Sequence, residues 1–443
     1  MLPNKKYHFY FVVSNRICTF AAKRKYMEKE LFRAIIAENQ EYIGHIPLVQ
    51  RPIDIEEYGN YVFVGVRQAG KSYLLYQRIQ QLLANGVEIE NIVYINFDDE
   101  RLQGMSVTDF DLILQAYHSM YDSQPIFFFD EIQNVEGWAN FARRIANQKY
   151  HIYITGSNAK MLSRDIETVL GGRYLDISVF PYSFSEYLKA VGVLLSKNWQ
   201  YGRKANELQR QFRTYFDWGG FPELVHFQEK RVWLNSLYNR IFFNDLVVRH
   251  KVKNEDALRL CVRRLAESVK QPCSLNRLSN LIKATGTSCS PSTVMEYVRY
   301  LQESCLLISI DNYVSKFVEK ETIKKHYFVD NGLLHLFINN PNTSLLENLC
   351  AITLYKKYGK GLYYYNKNIE VDFYVPDEGL AVQASYQMSD GETIEREVKA
   401  LVALHGLYPL KRAMIITYED EGEIVRDGLK IEIRPAWKWV LEG

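Results

Sequence analysis

The chain has 443 residues, 47% hydrophobic and 24% charged, and at roughly 150 residues per domain its length calls for about three domains. This composition excludes a disordered, collagen-like or low-complexity chain. Lys plus Arg number 54 against 52 Asp plus Glu, and a net charge of +2 excludes both a global basic field for nucleic acid and an acidic one for cations.

Residues 1–26 carry Lys5, Lys6, Arg16, Lys23, Arg24 and Lys25 and no acid. The apolar run 8–13 is too short for a signal peptide and is broken by Asn15-Arg16. Met27 then opens an amphipathic stretch that predicts the first helix and marks Met27 as the expected initiator. Cysteines at 18, 261, 273, 289, 305 and 350 form no CxxC pair and read as free thiols. No apolar run approaches the roughly 20 residues of a membrane span. The expectation is a cytoplasmic protein with no membrane partner.

The strongest motif is Gly65-Val66-Arg67-Gln68-Ala69-Gly70-Lys71-Ser72, which fits GxxxxGK[ST]. A buried-strand run, 61–64, precedes it and a helical pattern opening at Tyr73 follows. Glycines let the backbone close around phosphates, and N–H groups at a helix N-terminus favour anions. Residues Gly65 to Tyr73 are therefore the expected ATP-binding set, with Lys71 on the β- and γ-phosphates and Ser72 on Mg²⁺. A second apolar run, 126–129, ends in Asp130-Glu131. Asp130 is the expected second Mg²⁺ residue and Glu131 the group that polarises the attacking water.

Further strands are predicted over 91–97, 151–155 and 174–179, giving a parallel α/β sheet. The fourth strand runs into Asn158, expected to sense the γ-phosphate. Arg173 follows two glycines and is expected to act on a neighbouring subunit's nucleotide, which implies a homo-oligomer. The aromatic content, 14% with 32 Tyr and 23 Phe, first suggests stacking on nucleic acid. Its placement in Tyr61, Phe63 and Phe127 to Phe129 reads as core instead.

These residues resemble the AAA+ superfamily, and more narrowly the prokaryotic ATPases that join an AAA-type domain to a C-terminal nuclease-like domain of unknown function. The resemblance is carried by the Walker loop, Asp130-Glu131-Ile132-Gln133, Thr155-Gly156-Ser157-Asn158, Leu170-Gly171-Gly172-Arg173, Pro181 to Leu188, and Trp218-Gly219-Gly220-Phe221-Pro222-Glu223. It implies a P-loop ATPase domain over 27–190 and a helical lid over 191–250. The Gly219-Gly220-Phe221-Pro222 turn reads as an interdomain connection.

Residues 251–335 predict a winged helix, with a helix near 257–265, one over 274–283, a third capped at Ser290-Pro291, and wing strands over 306–310 and 326–330. The segment 251–330 has 13 basic and 9 acidic residues, and its third helix offers only Arg299 against Glu296 and Glu303. Sequence-specific groove reading needs more donors, so any DNA contact is expected to be non-specific. The last part, 336–443, looks like a restriction-endonuclease-like core. Asp372 and Glu347 supply carboxylates, but the Glu-x-Lys positions are Gln383-Ala384-Ser385, with Lys399 as the one remaining lysine candidate. The catalytic set is broken, so an inactive module is expected. The protein is thus read as an Mg²⁺-dependent ATPase coupled to these modules and to an unidentified protein partner. The rival readings are a slow nucleotide-dependent interaction switch and an ATP-dependent DNA-processing nuclease.

Overall fold

A computed structural model describes residues 27–56, 59–162, 168–388 and 391–442. The expected N-terminal extension, 1–26, lies outside the described residues. Five strands, β1 (Asn60–Val64), β2 (Ile92–Asn96), β3 (Ile126–Asp130), β4 (His151–Gly156) and β5 (Tyr174–Ser178), form a sheet in the order β2-β3-β4-β1-β5. Every pairing is parallel. Parallel neighbours require crossovers, supplied here by helices that include Lys71–Ala84, Phe110–His118 and Trp138–Asn147. This is the α/β fold of a P-loop NTPase.

Helices on both faces explain why β3 reads Ile-Phe-Phe-Phe instead of alternating with polar residues. Phe127 and Phe129 enter one core with Phe110 and Phe141, while Phe128 points to the other. On that second face Tyr61, Tyr153 and Phe128 come from adjacent strands, with centroids 6.0 and 4.8 Å apart and rings nearly parallel. Much of the aromatic excess is spent in this way, inside the sheet layers.

The second half of the chain begins with helices Glu255–Glu267, Leu275–Lys283 and Pro291–Glu303, the first two separated by the short β6 (Cys273–Ser274). Strands β7 (Leu307–Asn312) and β8 (Ile323–Phe328) follow as an antiparallel pair. Then come β9 (Tyr363–Asn366), β10 (Glu370–Val375), β11 (Leu380–Ala384), β12 (Arg412–Thr417), β13 (Gly422–Arg426) and β14 (Leu429–Pro435). All nine strands form one mixed sheet, ordered β13-β14-β12-β11-β10-β9-β7-β8-β6.

The join is the β7–β9 contact, where Asp311 pairs with Tyr363 and Asn312 with Tyr364. Asn312 closes it with its side-chain amide, which donates to the Asn366 carbonyl at 2.7 Å and accepts the Asn366 N–H at 3.0 Å. The expected boundary between 335 and 336 therefore falls within a continuous sheet. Strand β8 also starts earlier than expected, at Ile323, so Lys324 and Lys325 are strand residues. Among the described residues, no helix is long and apolar enough to cross a membrane.

His326 on β8 is buried, with Nδ1 2.8 Å from the Ser309 hydroxyl. Burial, and then the charge on Lys324, push its imidazole from 6.5 down to about 4. The folded state binds fewer protons here than the unfolded chain, so this contribution is complete above pH 6.5 and is lost as pH falls through 4. At about 1.4 kcal/mol per pH unit, acidification to about pH 4.5 costs roughly 2–3 kcal/mol through this group. Urea midpoints of wild type and His326→Asn, compared at neutral and acid pH, should show a smaller acid loss in the variant. An equal loss in both proteins rules the assignment out.

Candidate nucleotide site

Strand β1 ends at Val64 and the Lys71–Ala84 helix begins seven residues later, so the glycine loop spans the C-terminal edge of the sheet. Gly70 takes φ +93°, a left-handed conformation that admits glycine and few other residues. Gly65 is required for space, because a Cβ there would run into the Val179 carbonyl. Lys71 is buried under the loop, its Nζ donating to the Val66 carbonyl at 3.2 Å and lying 3.4 Å from Glu131 Oε1.

Asp130 is 1% exposed and takes two hydroxyl donors, Thr155 and Tyr94, the latter at 2.8 Å, with Ser72 nearby on the first helical turn. Burial, then the charge of neighbouring Glu131, raises its pKa above the ordinary carboxylate value. Glu131 goes the other way. Burial opposes its charge, but the Lys71 ammonium and a hydrogen bond from Gln133 outweigh that and hold its pKa below the usual value. Glu131 sits at φ +52°, and its N–H donates to Thr155 Oγ1 at 2.9 Å. Thr155 thus serves both acids at once, donating to one and accepting from the backbone of the other.

Most of the expected residues converge here. Parallel register sets Gly156 beside Val64, so Ser157 and Asn158 emerge next to the phosphate loop. Tyr73 lies on the first helical turn, half exposed, with its ring edge-on to Tyr76. Arg173 is not brought in. It precedes Tyr174, which pairs with Asn60 at the opposite end of β1, and its guanidinium folds back onto the Leu170 and Gly171 carbonyls. Contact with a nucleotide would need a second copy of the chain.

Several neighbours carried no signal in the sequence. Arg51 donates to the Ala69 carbonyl within the loop and to Glu186, 2.7 Å away, which also caps the Phe184–Ala190 helix. Arg67, on the loop, is gripped by both oxygens of buried Asp245 at 3.0 Å. Asp245 belongs to a π-helical segment, Ile241–Val248, and also holds Arg249, which reaches Ser157. The Gly219-Gly220 turn does more than connect. Gly220 N–H donates to buried Asp330 at 2.8 Å, Pro222 packs on Gly70, and Gln68 donates to Glu223 at 3.4 Å.

A second cluster lies in the larger sheet. Lys325 is wholly buried, its Nζ 2.9 Å from Asp372, 3.2 Å from Glu347 and 3.3 Å from Glu370. Burial alone would lower the lysine's pKa, but these three carboxylates, Asp372 first, raise it above the ordinary value. Tyr327 donates to the same Glu347 oxygen at 2.8 Å, and Ala384 N–H donates to the other Asp372 oxygen at 3.1 Å. Gln383 is taken up by strand β10, accepting from Asp372 N–H at 2.8 Å and donating to the Glu370 carbonyl at 3.1 Å. Lys399 is exposed and lines a cavity of about 820 Å³ above the carboxylates.

A profile described as an AAA domain matches residues 58–188, and a domain of unknown function (DUF8612) matches 209–344. An uncharacterised protein of Methanocaldococcus jannaschii, MJ1544, is 31% identical over 434 residues, covering 94% of this chain and 96% of that one. An uncharacterised protein of Haemophilus influenzae is 30% identical over 394 residues, covering 86% and 94%. The Walker-type ATPase paby2304 of Pyrococcus abyssi aligns over 71% of this chain and 97% of its own, at 12% identity and a TM-score of 0.35. The chain belongs to the prokaryotic AAA+ P-loop ATPases, a family of nucleotide-binding ATPases, and the archaeal and bacterial relatives align with it along most of its length.

Thr155→Val keeps the shape but removes the hydroxyl that serves Asp130 and Glu131. Leaving a buried carboxylate oxygen and an N–H unpaired should cost about 1–3 kcal/mol, read as a lower urea midpoint. Thr155→Ser should retain most of the wild-type stability. Equal midpoints for the valine and serine variants would show that the hydroxyl holds nothing together.

Proposed function

We propose that the chain binds ATP with Mg²⁺ on the Gly65–Tyr73 loop and hydrolyses it. The convergence of Lys71, Ser72, Asp130 and Glu131 in one hydrogen-bonded cluster at the sheet edge carries this reading. Loop N–H groups would surround the phosphates, and Lys71 would exchange its Glu131 partner for a phosphate oxygen. Ser72 and Asp130 offer oxygen donors that suit Mg²⁺, which when bound neutralises charge between the β- and γ-phosphates. Glu131, kept ionised by its cationic neighbours, accepts the proton of the water that attacks the γ-phosphorus as the bond to the departing ADP oxygen breaks. Gln133, which donates to Glu131, and Asn158, on the loop after β4, would orient that water.

Coupling to the rest of the chain would run through Asp245. Arg67 and Arg249 both depend on it, and Arg249 reaches the Ser157 end of the Asn158 loop. The turn Ala159–Leu162 of that loop also packs against the Pro291–Glu303 helix. Three helices followed by the β7–β8 pair support a winged-helix reading of this region. Strands β9 to β12 with their flanking helices support a nuclease-like reading of the next, without a working Glu-x-Lys pair. Within these three helices, Arg263 and Arg264 lie beside Glu267, and Arg299 beside Glu303, so these bases meet acids on their own helix. That favours a protein contact over DNA.

The Lys71–Glu131 ion pair favours slow basal turnover, because both groups must leave each other before they act. A nucleotide-dependent interaction switch is therefore the second reading. An ATPase assay on the full chain, with and without double-stranded DNA, separates these. Lys71→Ala should lose both binding and turnover. Glu131→Gln should still bind ATP while hydrolysing it about a hundredfold more slowly or worse. Turnover by Glu131→Gln equal to wild type would sink the assignment of the catalytic acid.

A further inference from the structure

We infer that Lys325 is a built-in cation: its ammonium fills the centre of the Glu347, Glu370 and Asp372 cluster, where a divalent ion would have to sit, and fastens β8 to the C-terminal sheet. This rests on the nuclease-like reading only for the expectation of a metal, and on no part of the ATPase reading.

Lys325 Nζ donates to Asp372 and Glu347, and Glu370 completes the ring of charge as an ion-pair partner. An ammonium has three N–H groups, and three carboxylates stand 2.9, 3.2 and 3.3 Å from Lys325 Nζ. The acceptors are committed as well. Asp372 gives one oxygen to Lys325 and the other to Ala384 N–H, while the Glu347 oxygen facing the lysine also accepts from Tyr327. Gln383, at the position where a second strand carboxylate would complete a metal site, spends both ends of its amide on the β10 backbone. Ser385 donates to the Gln387 carbonyl, 3.3 Å away. The residues present do not fit a divalent ion: it would meet a fixed positive charge at the centre of the cluster and a neutral amide at its edge.

The lysine cannot diffuse away as a metal can, because it is part of a strand. β8 pairs with β7 on one side and β6 on the other, and the carboxylates come from the Asn342–Tyr358 helix and from β10. The cluster therefore pins three elements that are distant in sequence. Removing the ammonium would leave buried Glu347 facing partly buried Asp372 with no counter-charge between them, an arrangement that is costly away from water.

The test uses the full chain without nucleotide, Mn²⁺ as the probe and thermal unfolding as the readout. Wild type should show no Mn²⁺-dependent rise in Tm that Asp372→Asn abolishes, and no Mn²⁺-dependent nicking of supercoiled plasmid. Lys325→Met should unfold at lower temperature and recover several degrees with Mn²⁺, a recovery that adding Asp372→Asn removes. Asp372-dependent Mn²⁺ binding or nicking by wild type overturns the inference while leaving the nuclease-like reading intact. A folded Lys325→Met that ignores Mn²⁺ overturns it too. Should Lys325→Met fail to fold, Lys325→Met/Glu347→Gln decides: recovery of folded protein supports the neutralising role, and an equally unfolded double variant refutes it.

Discussion

A carboxylate buried at the end of a phenylalanine strand sets the terms for the whole nucleotide-binding half. Asp130 follows three phenylalanines that drive β3 into the centre of the sheet, so its charge is carried out of water along with them. A buried charge persists only where hydrogen bonds replace its lost hydration. Here the replacements come from the two flanking strands, Tyr94 on β2 and Thr155 on β4. Satisfying this group agrees with β2 and β4 lying on either side of β3, and the strand order lays the glycine loop, the two acids and Asn158 along one edge. Glu131, one residue on, is turned out of the strand by its left-handed backbone and meets Lys71 instead.

The larger sheet meets an equivalent demand with a different cation. Around Lys71 the ammonium sits beside the glycine loop, and in the proposed reading a phosphate would replace its carboxylate partner. Around Lys325 the ammonium is enclosed by three carboxylates, a tyrosine hydroxyl and the sheet itself, and nothing at the centre is left to exchange. One arrangement is a site in waiting and the other a fastening. At the nucleotide site a chain of partly buried ionic contacts, from Arg67 through Asp245 to Arg249, ties the phosphate loop to the π-helical segment. A π-turn is costly to maintain and tends to mark a functional position, and here it carries the one carboxylate that both arginines share.

The nucleotide site was largely legible because its residues are close in sequence or at the ends of strongly apolar strands. Gly65 to Ser72 is a contiguous motif, and Asp130-Glu131 ends a run no surface loop would tolerate. Tyr94 was hidden because it looks like any other strand aromatic, and Asp245 and Arg249 because an acid and a base four apart read as an exposed helical pair. Lys325 was missed for a sharper reason. In Ile323-Lys324-Lys325-His326 the basic pair reads as a loop before a strand, so β8 was expected to begin at His326.

The amino-acid sequence by itself determined the class of fold, the phosphate loop and its two acids, and the absence of a Glu-x-Lys pair on β10 and β11. Those properties depend on local spacing and on periodic burial, both written along the chain. Tertiary structure alone decided that Arg173 faces away from its own loop and that Pro222, just after the Gly219-Gly220 turn, packs on Gly70. It also decided that the expected last two modules share one sheet, and that a lysine from β8 stands among carboxylates contributed by residues 22 to 47 positions later. Each is a pairing across long sequence separation. Local propensity has no term for it, because the partners meet only once the sheet has closed.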